Sequence, residues 1–284
     1  MRRRLTWLDV FTSRPLTGNG LAVVHHADGI DDATMLAFAR ETKLSETTYV
    51  QSPTEQGADY RNRIWTVVGE LPFAGHPSLG TAVAVASARA ERHASYVQQT
   101  IAGLQPIDVE LGSSGVARAS MLQEPAVFGP EVDPGRIFPA LGLEAGDGHP
   151  DLPPQVVSTG GAALMVPVRD ATVLTRARPR AAELGALLRE LDAVCAYVAW
   201  HDADGEAAQA RSYFMTGDAV AEDPATGSAA GPLCAYLEQR TGAARVTIDQ
   251  GVAMGRPSRL LCEAGERVRV AGDVVLLADG ELEL

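Results

Sequence analysis

The chain has 284 residues, with 24 Lys+Arg against 36 Asp+Glu and a formal charge of −12. Its length allows one large domain or two ordinary ones, and 46% hydrophobic against 21% charged residues marks a globular protein, not a disordered one. A pI near 4.9 argues against a general nucleic-acid binder, three scattered cysteines against a disulfide scaffold, and the absence of any apolar run near the roughly 18–20 residues of a membrane span against a membrane protein.

In chain order, 5–12 and 21–25 read as strands separated by the turn chemistry of Pro15 to Gly20. A helix follows, capped by Asp31, with Met35, Leu36, Phe38 and Ala39 at helical spacing. Strands are expected over 45–51 and 60–68, and a buried small-residue helix over 77–89. Strands near 96–101, 107–111 and 116–122 come next, the last two joined by a turn over 112–115. The proline-rich stretch 123–154 reads as a linker or domain boundary, with a short helix over 133–141 begun by Asp133 and Pro134. Beyond it, strands are expected over 156–159, 163–168, 194–200 and 210–215, with helices over 180–191 and 226–240. Strands over 245–250, 259–263, 268–271 and 274–278 complete the order. The start of the chain has basic residues but no apolar segment behind them, so it does not read as a secretory signal, and a cytoplasmic location is expected.

Lys43 is the only lysine among the 24 basic residues, so a pyridoxal Schiff base has one candidate and a P-loop has none. No cofactor or metal is called for. His25 and His26 are strand neighbours that point to opposite faces, and no other His or Cys pair has metal-ligand spacing.

Two segments resemble each other. His76-Pro77-Ser78-Leu79-Gly80-Thr81-Ala82 and Asp223-Pro224-Ala225-Thr226-Gly227-Ser228-Ala229 both run titratable residue, Pro, two residues, Gly, hydroxyl residue, Ala. They lie 147 positions apart, about half the chain. Each precedes a small-residue helix, and free N–H groups with the positive end of the helix dipole attract an anion. This reading puts the two helix starts at Gly80-Thr81 and Gly227-Ser228, with a carboxylate or phosphate as the natural ligand. Ordinary helix capping is the competing reading, and for Asp223 alone it would be the better one.

Three titratable residues stand out. His76, between Gly75 and Pro77, suits proton transfer or substrate orientation. Asp223 is promoted by its correspondence with His76, and its neighbour Glu222 is secondary. Glu46 lies in an otherwise uncharged strand, where alternation puts it on one face with Thr48 and Val50, opposite Thr47 and Tyr49. If that face is inside, desolvation raises its pKa, as a general base or acid near neutral pH requires. Asn19, in the Asn19-Gly20 pair, reads as a turn residue first and a ligand contact second.

Leu44-Ser45-Glu46-Thr47-Thr48-Tyr49-Val50, the segment Leu71 to Ala82 and the segment Glu222 to Ala229 together resemble the phenazine-biosynthesis PhzF-like family. The resemblance implies an α+β fold like that of diaminopimelate epimerase: two pseudo-symmetric halves, each a mostly antiparallel sheet wrapped round a central helix, with the site in the cleft between. The halves would be 1–122 with a final strand at about 274–284, and 123–273. The family includes a cofactor-free isomerase that moves a proton on a dihydro-hydroxyanthranilate ring. Its proton shuttle maps to Glu46, and its other site residues to His76, Asp223 and Ser228. The helix-start residues Gly80, Thr81 and Gly227, with Gly75 and Asn19, complete the expected substrate contacts. Related epimerases use one cysteine from each half, where this chain has Gly75 and Asp223. The expectation is therefore a cofactor-independent isomerase of a small carboxylate metabolite, with no nucleic-acid or membrane partner, and, from the resemblance alone, a homodimer. A non-catalytic metabolite-binding protein and an amino-acid epimerase are the alternatives.

Overall fold

The computed structural model describes residues 2–113 and 115–284, so position 114 of the turn expected over 112–115 lies outside the described residues. The chain divides into two compact units, positions 1–122 with 271–284, and positions 123–270. Both mix helices with strands, an α+β arrangement. No described helix is long and apolar enough to cross a membrane.

The first unit carries β1 (Arg2–Val10), β2 (Asn19–Val24), α1 (Asp32–Thr42), β3 (Glu46–Gln51), β4 (Tyr60–Trp65), the two-residue β5 (Glu70–Leu71), α2 (Gly75–Arg89), β6 (His93–Thr100), β7 (Gly103–Leu111) and β8 (Val116–Leu122). Asp31 caps α1 by accepting from the Thr34 amide at 2.8 Å. The lone lysine, Lys43, closes that helix in the left-handed region, at φ 55°. Antiparallel pairs β1–β2, β3–β4, β6–β7 and β7–β8 are linked by the parallel pairs β2–β3 and β4–β6.

In the second unit follow β9 (Val127–Glu131), α3 (Pro134–Ala140), β10 (Gln155–Ser158), β11 (Ala162–Pro167), α4 (Ala171–Arg176), α5 (Ala181–Glu190), β12 (Cys195–His201), β13 (Ala207–Thr216), β14 (Ala219–Asp223), α6 (Gly227–Thr241), β15 (Arg245–Gln250) and β16 (Ser258–Glu263). The ladder runs β9–β10–β11–β12–β13, parallel only at β11–β12. At β13 it forks: Ser212–Thr216 pair with β14, and Ala207–Ala210 pair in parallel with β15, which continues to β16. The small, apolar α6 packs on β10, β11, β15 and β16. A core of Phe138, Leu141, Leu164, Val166, Leu184, Leu188 and Tyr213 joins the strands to α3, α4 and α5.

The last strand, β17 (Arg269–Glu283), returns to the first unit, pairing antiparallel with β1 and also with β8. These pairings close the first unit's sheet on itself around α2. That explains the helix composition. Every residue from Gly75 to Ala86 is buried, and apart from His76 only small or apolar side chains occupy this helix with strands on all sides. The other face of β2–β4 is covered by α1, where Met35, Ala39, Tyr49, Trp65 and Val24 form a separate core.

Several local readings change. Besides the expected short helix, α3, the stretch 123–154 holds β9 and a 3-10 turn over Ala145–Asp147. The strands expected over 268–271 and 274–278 are one long strand that runs through Gly272, where the Phe11 ring leaves no room for a side chain. The short β5, β14 and α4 carry too little periodicity to read from sequence.

Candidate active site

Strand β3 lies in parallel register with β2, Glu46 opposite Leu21. Its side chains alternate as expected. Thr47 meets the Thr42 hydroxyl at 2.9 Å, and Tyr49 donates to the Met35 carbonyl at 2.7 Å, both on the α1 side. Glu46 and Thr48 point the other way, towards α2: Thr48 meets the Thr81 hydroxyl at 2.8 Å, and Glu46 Oε2 lies 3.3 Å from His76 Nε2. The side chains of His76 and Glu46 are 5% and 15% exposed, so this contact is largely sealed from water.

On its far edge the imidazole meets Asn19: His76 Nδ1 lies 3.1 Å from Asn19 Nδ2. Asn19 Oδ1 accepts from the Ser45 hydroxyl at 3.1 Å. Burial pushes the His76 pKa down to about 3, so the ring is neutral near pH 7 and its contact with Glu46 is not an ion pair. Asn19 therefore stands behind the histidine and not simply at a turn.

The start of α2 differs from the motif reading. The helix begins at Gly75, five residues ahead of Gly80, so Gly80 and Thr81 lie in its second turn. Pro77 fits the first turn because the amide it lacks would have no partner within the helix anyway. A Cβ on Gly80 would meet Leu21 Cδ2 at 2.6 Å and Val10 Cγ2 at 2.8 Å. Gly80 thus lets the helix touch β1 and β2, while the Thr81 hydroxyl is taken by Thr48. The amides without a partner inside the helix are those of Gly75 and His76.

In the second unit, α6 does begin at Gly227, with Ser228 next and Thr226 at its cap. Asp223 ends β14, four residues ahead of the helix. The two helix starts are thus 152 positions apart although the motifs are 147 apart. The physical reason is a side-chain clamp on the second copy. The buried Gln250 accepts from the Thr226 amide at 3.2 Å and donates to the Asp223 carbonyl at 2.7 Å and the Thr226 hydroxyl at 3.0 Å. Tyr197 donates to Gln250 at 2.7 Å, and the Thr226 hydroxyl donates to Asp223 Oδ2 at 2.6 Å. Held this way, 224–226 stays outside the helix and leaves the Gly227 and Ser228 amides at its tip. Gly251, at φ 74°, is required beside it: a Cβ there would lie 2.5 Å from the Pro224 carbonyl.

Glu222 faces away from Asp223 on β14. It forms a two-pronged pair with Arg211 at 2.8 and 2.7 Å, which occupies it structurally. The three cysteines are buried, and desolvation raises each thiol, Cys195 and Cys234 to about 12. Sequence reasoning passed over Ser45, Gln250, Thr226 and Tyr197. Only a polar Gln at a strand end before a glycine hinted at the clamp.

The family model for "phenazine biosynthesis-like protein" (PhzC-PhzF) matches residues 8–280. Trans-2,3-dihydro-3-hydroxyanthranilate isomerase of Pseudomonas aeruginosa is 34% identical, with 99% of each chain covered. An uncharacterized isomerase of Mesorhizobium japonicum is 33% identical over 96% of both. Among solved structures, a predicted epimerase from Pseudomonas aeruginosa has a TM-score of 0.87 at 39% identity, covering 99% of both chains. A hydroxyproline epimerase from Agrobacterium vitis reaches a TM-score of 0.66 at 10% identity, covering 99% of this chain and 92% of its own, a likeness of fold alone. The chain belongs to the phenazine biosynthesis-like (PhzC-PhzF) family and is an isomerase.

Proposed function

We propose that this isomerase moves a proton between carbons of a small, ring-shaped carboxylate, without a cofactor, and that Glu46 carries the proton. The observation behind the reading is the largely sealed contact of the Glu46 carboxylate with a neutral His76, 3.3 Å apart. The carboxylate takes a proton from an acidic C–H, leaving the electron pair delocalised into the adjacent unsaturated system. The resulting carboxylic acid returns the proton at another carbon. Nothing is oxidised or reduced, and Glu46 ends ionised as it began. His76 orients the carboxylate. In this reading Asp223 binds a polar substituent of the same substrate, and the amides of Gly75, His76, Gly227 and Ser228, with the Ser228 hydroxyl, stabilise negative charge. The diaminopimelate-epimerase-like pairing of the halves and the homodimer belong to the same proposal.

The compound named for the Pseudomonas aeruginosa relative, trans-2,3-dihydro-3-hydroxyanthranilate, is the first substrate to try. Incubated with it in deuterium oxide, the protein is expected to incorporate deuterium at carbon, and Glu46→Gln is expected to lose roughly 10²-fold or more of that rate. Undiminished incorporation by Glu46→Gln removes Glu46 from its role. A ligand that stabilises the fold without any exchange favours the non-catalytic binding protein. Epimerisation by two thiolates is disfavoured, since all three thiols are buried and raised far from ionisation.

A further inference from the structure

We infer that Asn19 is a positioning residue that fixes His76 as its Nε2–H tautomer, so that the ring presents a neutral N–H to Glu46. The inference deepens the proposed isomerase reading, and its importance for catalysis rests on that reading. Four side chains form a ring of contacts: Ser45 Oγ to Asn19 Oδ1 at 3.1 Å, Asn19 Nδ2 to His76 Nδ1 at 3.1 Å, and His76 Nε2 to Glu46 Oε2 at 3.3 Å. The ring closes through the chain itself, because Ser45 and Glu46 are neighbours.

The direction of the hydrogens follows from the Ser45 end. The Ser45 hydroxyl donates to Asn19 Oδ1, which turns the Asn19 Nδ2 group, a donor only, towards His76 Nδ1. Nδ1 therefore keeps its lone pair, and a neutral imidazole carries its one hydrogen on Nε2, the atom 3.3 Å from Glu46 Oε2. That last approach is a close contact and not a hydrogen bond in this structure. Burial of His76, which lowers its pKa to about 3, agrees with a neutral ring. The chemical consequence is specific. A buried imidazolium would cost desolvation of a full charge, whereas a neutral N–H steadies the carboxylate while leaving its charge available to accept a proton from carbon.

Side-chain ¹⁵N spectra of histidine-labelled protein at pH 7, without any ligand, test this. The six histidines are resolved by comparison with His76→Gln. Wild type is expected to show a pyrrole-like, proton-bearing Nε2 and a pyridine-like Nδ1 for His76. Asn19→Asp replaces the donor by an acceptor of the same shape and is expected to move the proton to Nδ1 or to protonate both nitrogens. Asn19→Ser, which can still donate, is expected to retain the wild-type pattern. An Nδ1–H tautomer or an imidazolium in the wild type overturns the inference, as does a folded Asn19→Asp protein with an unchanged Nε2–H ring. With His76 assigned, the wild-type spectrum alone can overturn the inference even if the Asn19 variants do not fold. It does not depend on turnover, so loss of the isomerase reading and loss of this inference are separate results.

Discussion

The hydroxyls of Thr48 and Thr81 show how a pair of side chains ties β3 to the central helix. Both are fully buried, and each is the other's partner at 2.8 Å. Replacing one by valine keeps the shape and orphans the other hydroxyl, at a cost of about 1–3 kcal/mol. The double replacement removes both and is expected to cost less than the sum of the singles. Urea unfolding of the four proteins measures that coupling; strict additivity would show that the pair is not a unit. The same pair explains a misreading. Thr81 in sequence looks like a hydroxyl waiting for substrate, because nothing local reveals that Thr48, from a strand 33 positions earlier, already holds it. Glu46 was legible for the opposite reason. Strand alternation is a local rule, and it set Glu46 apart from Thr47 and Tyr49 without any knowledge of the partners.

At the scale of elements, the beginnings of α2 and α6 show one motif used in two registers. Pro77 enters the first turn of α2, while Pro224 stays outside α6 because Gln250, 26 positions later in the chain, holds the backbone on either side of it. A motif comparison reads the residues but not the clamp, so it placed the first helix start five residues late. Gly80 carries the consequence. As an anion-binding glycine it would tolerate little change in ligand affinity; as a packing glycine it governs how closely α2 approaches β1 and β2. Gly80→Ala is expected to destabilise the fold by about 1–3 kcal/mol through overpacking, in spite of the gain of up to about 1 kcal/mol in helix propensity. The chemical unfolding midpoint checks this, and a stabilised variant would contradict the packing role.

Over the whole molecule, buried neutral histidines couple folding to acidity. The His76 pKa falls to about 3 through desolvation, and that of His25 to about 4 through desolvation and the charges of Arg4 and His26. Unfolded, both titrate near 6.5. Below that pH the unfolded chain binds more protons, so this part of the stability is intact above about pH 6.5 and is lost as the pH falls towards 4 and then 3. For His25 the loss between pH 7 and pH 4.5 is on the order of 2 kcal/mol. His25→Gln can still bond Thr6, whose hydroxyl lies 2.9 Å from His25 Nε2, but it does not titrate. Its unfolding free energy should fall less steeply than wild type over that interval; parallel curves would mean His25 is not the titrating group. The order of the long strands and helices, the alternation in β3 and the three motifs were set by the sequence alone, because periodicity, capping and turn chemistry act between near neighbours. The closing of the first sheet around α2, the register of each helix start, and the chain of contacts from Ser45 through Asn19 and His76 to Glu46 were decided by the tertiary structure, because each depends on residues far apart in sequence competing for the same buried donors and the same space.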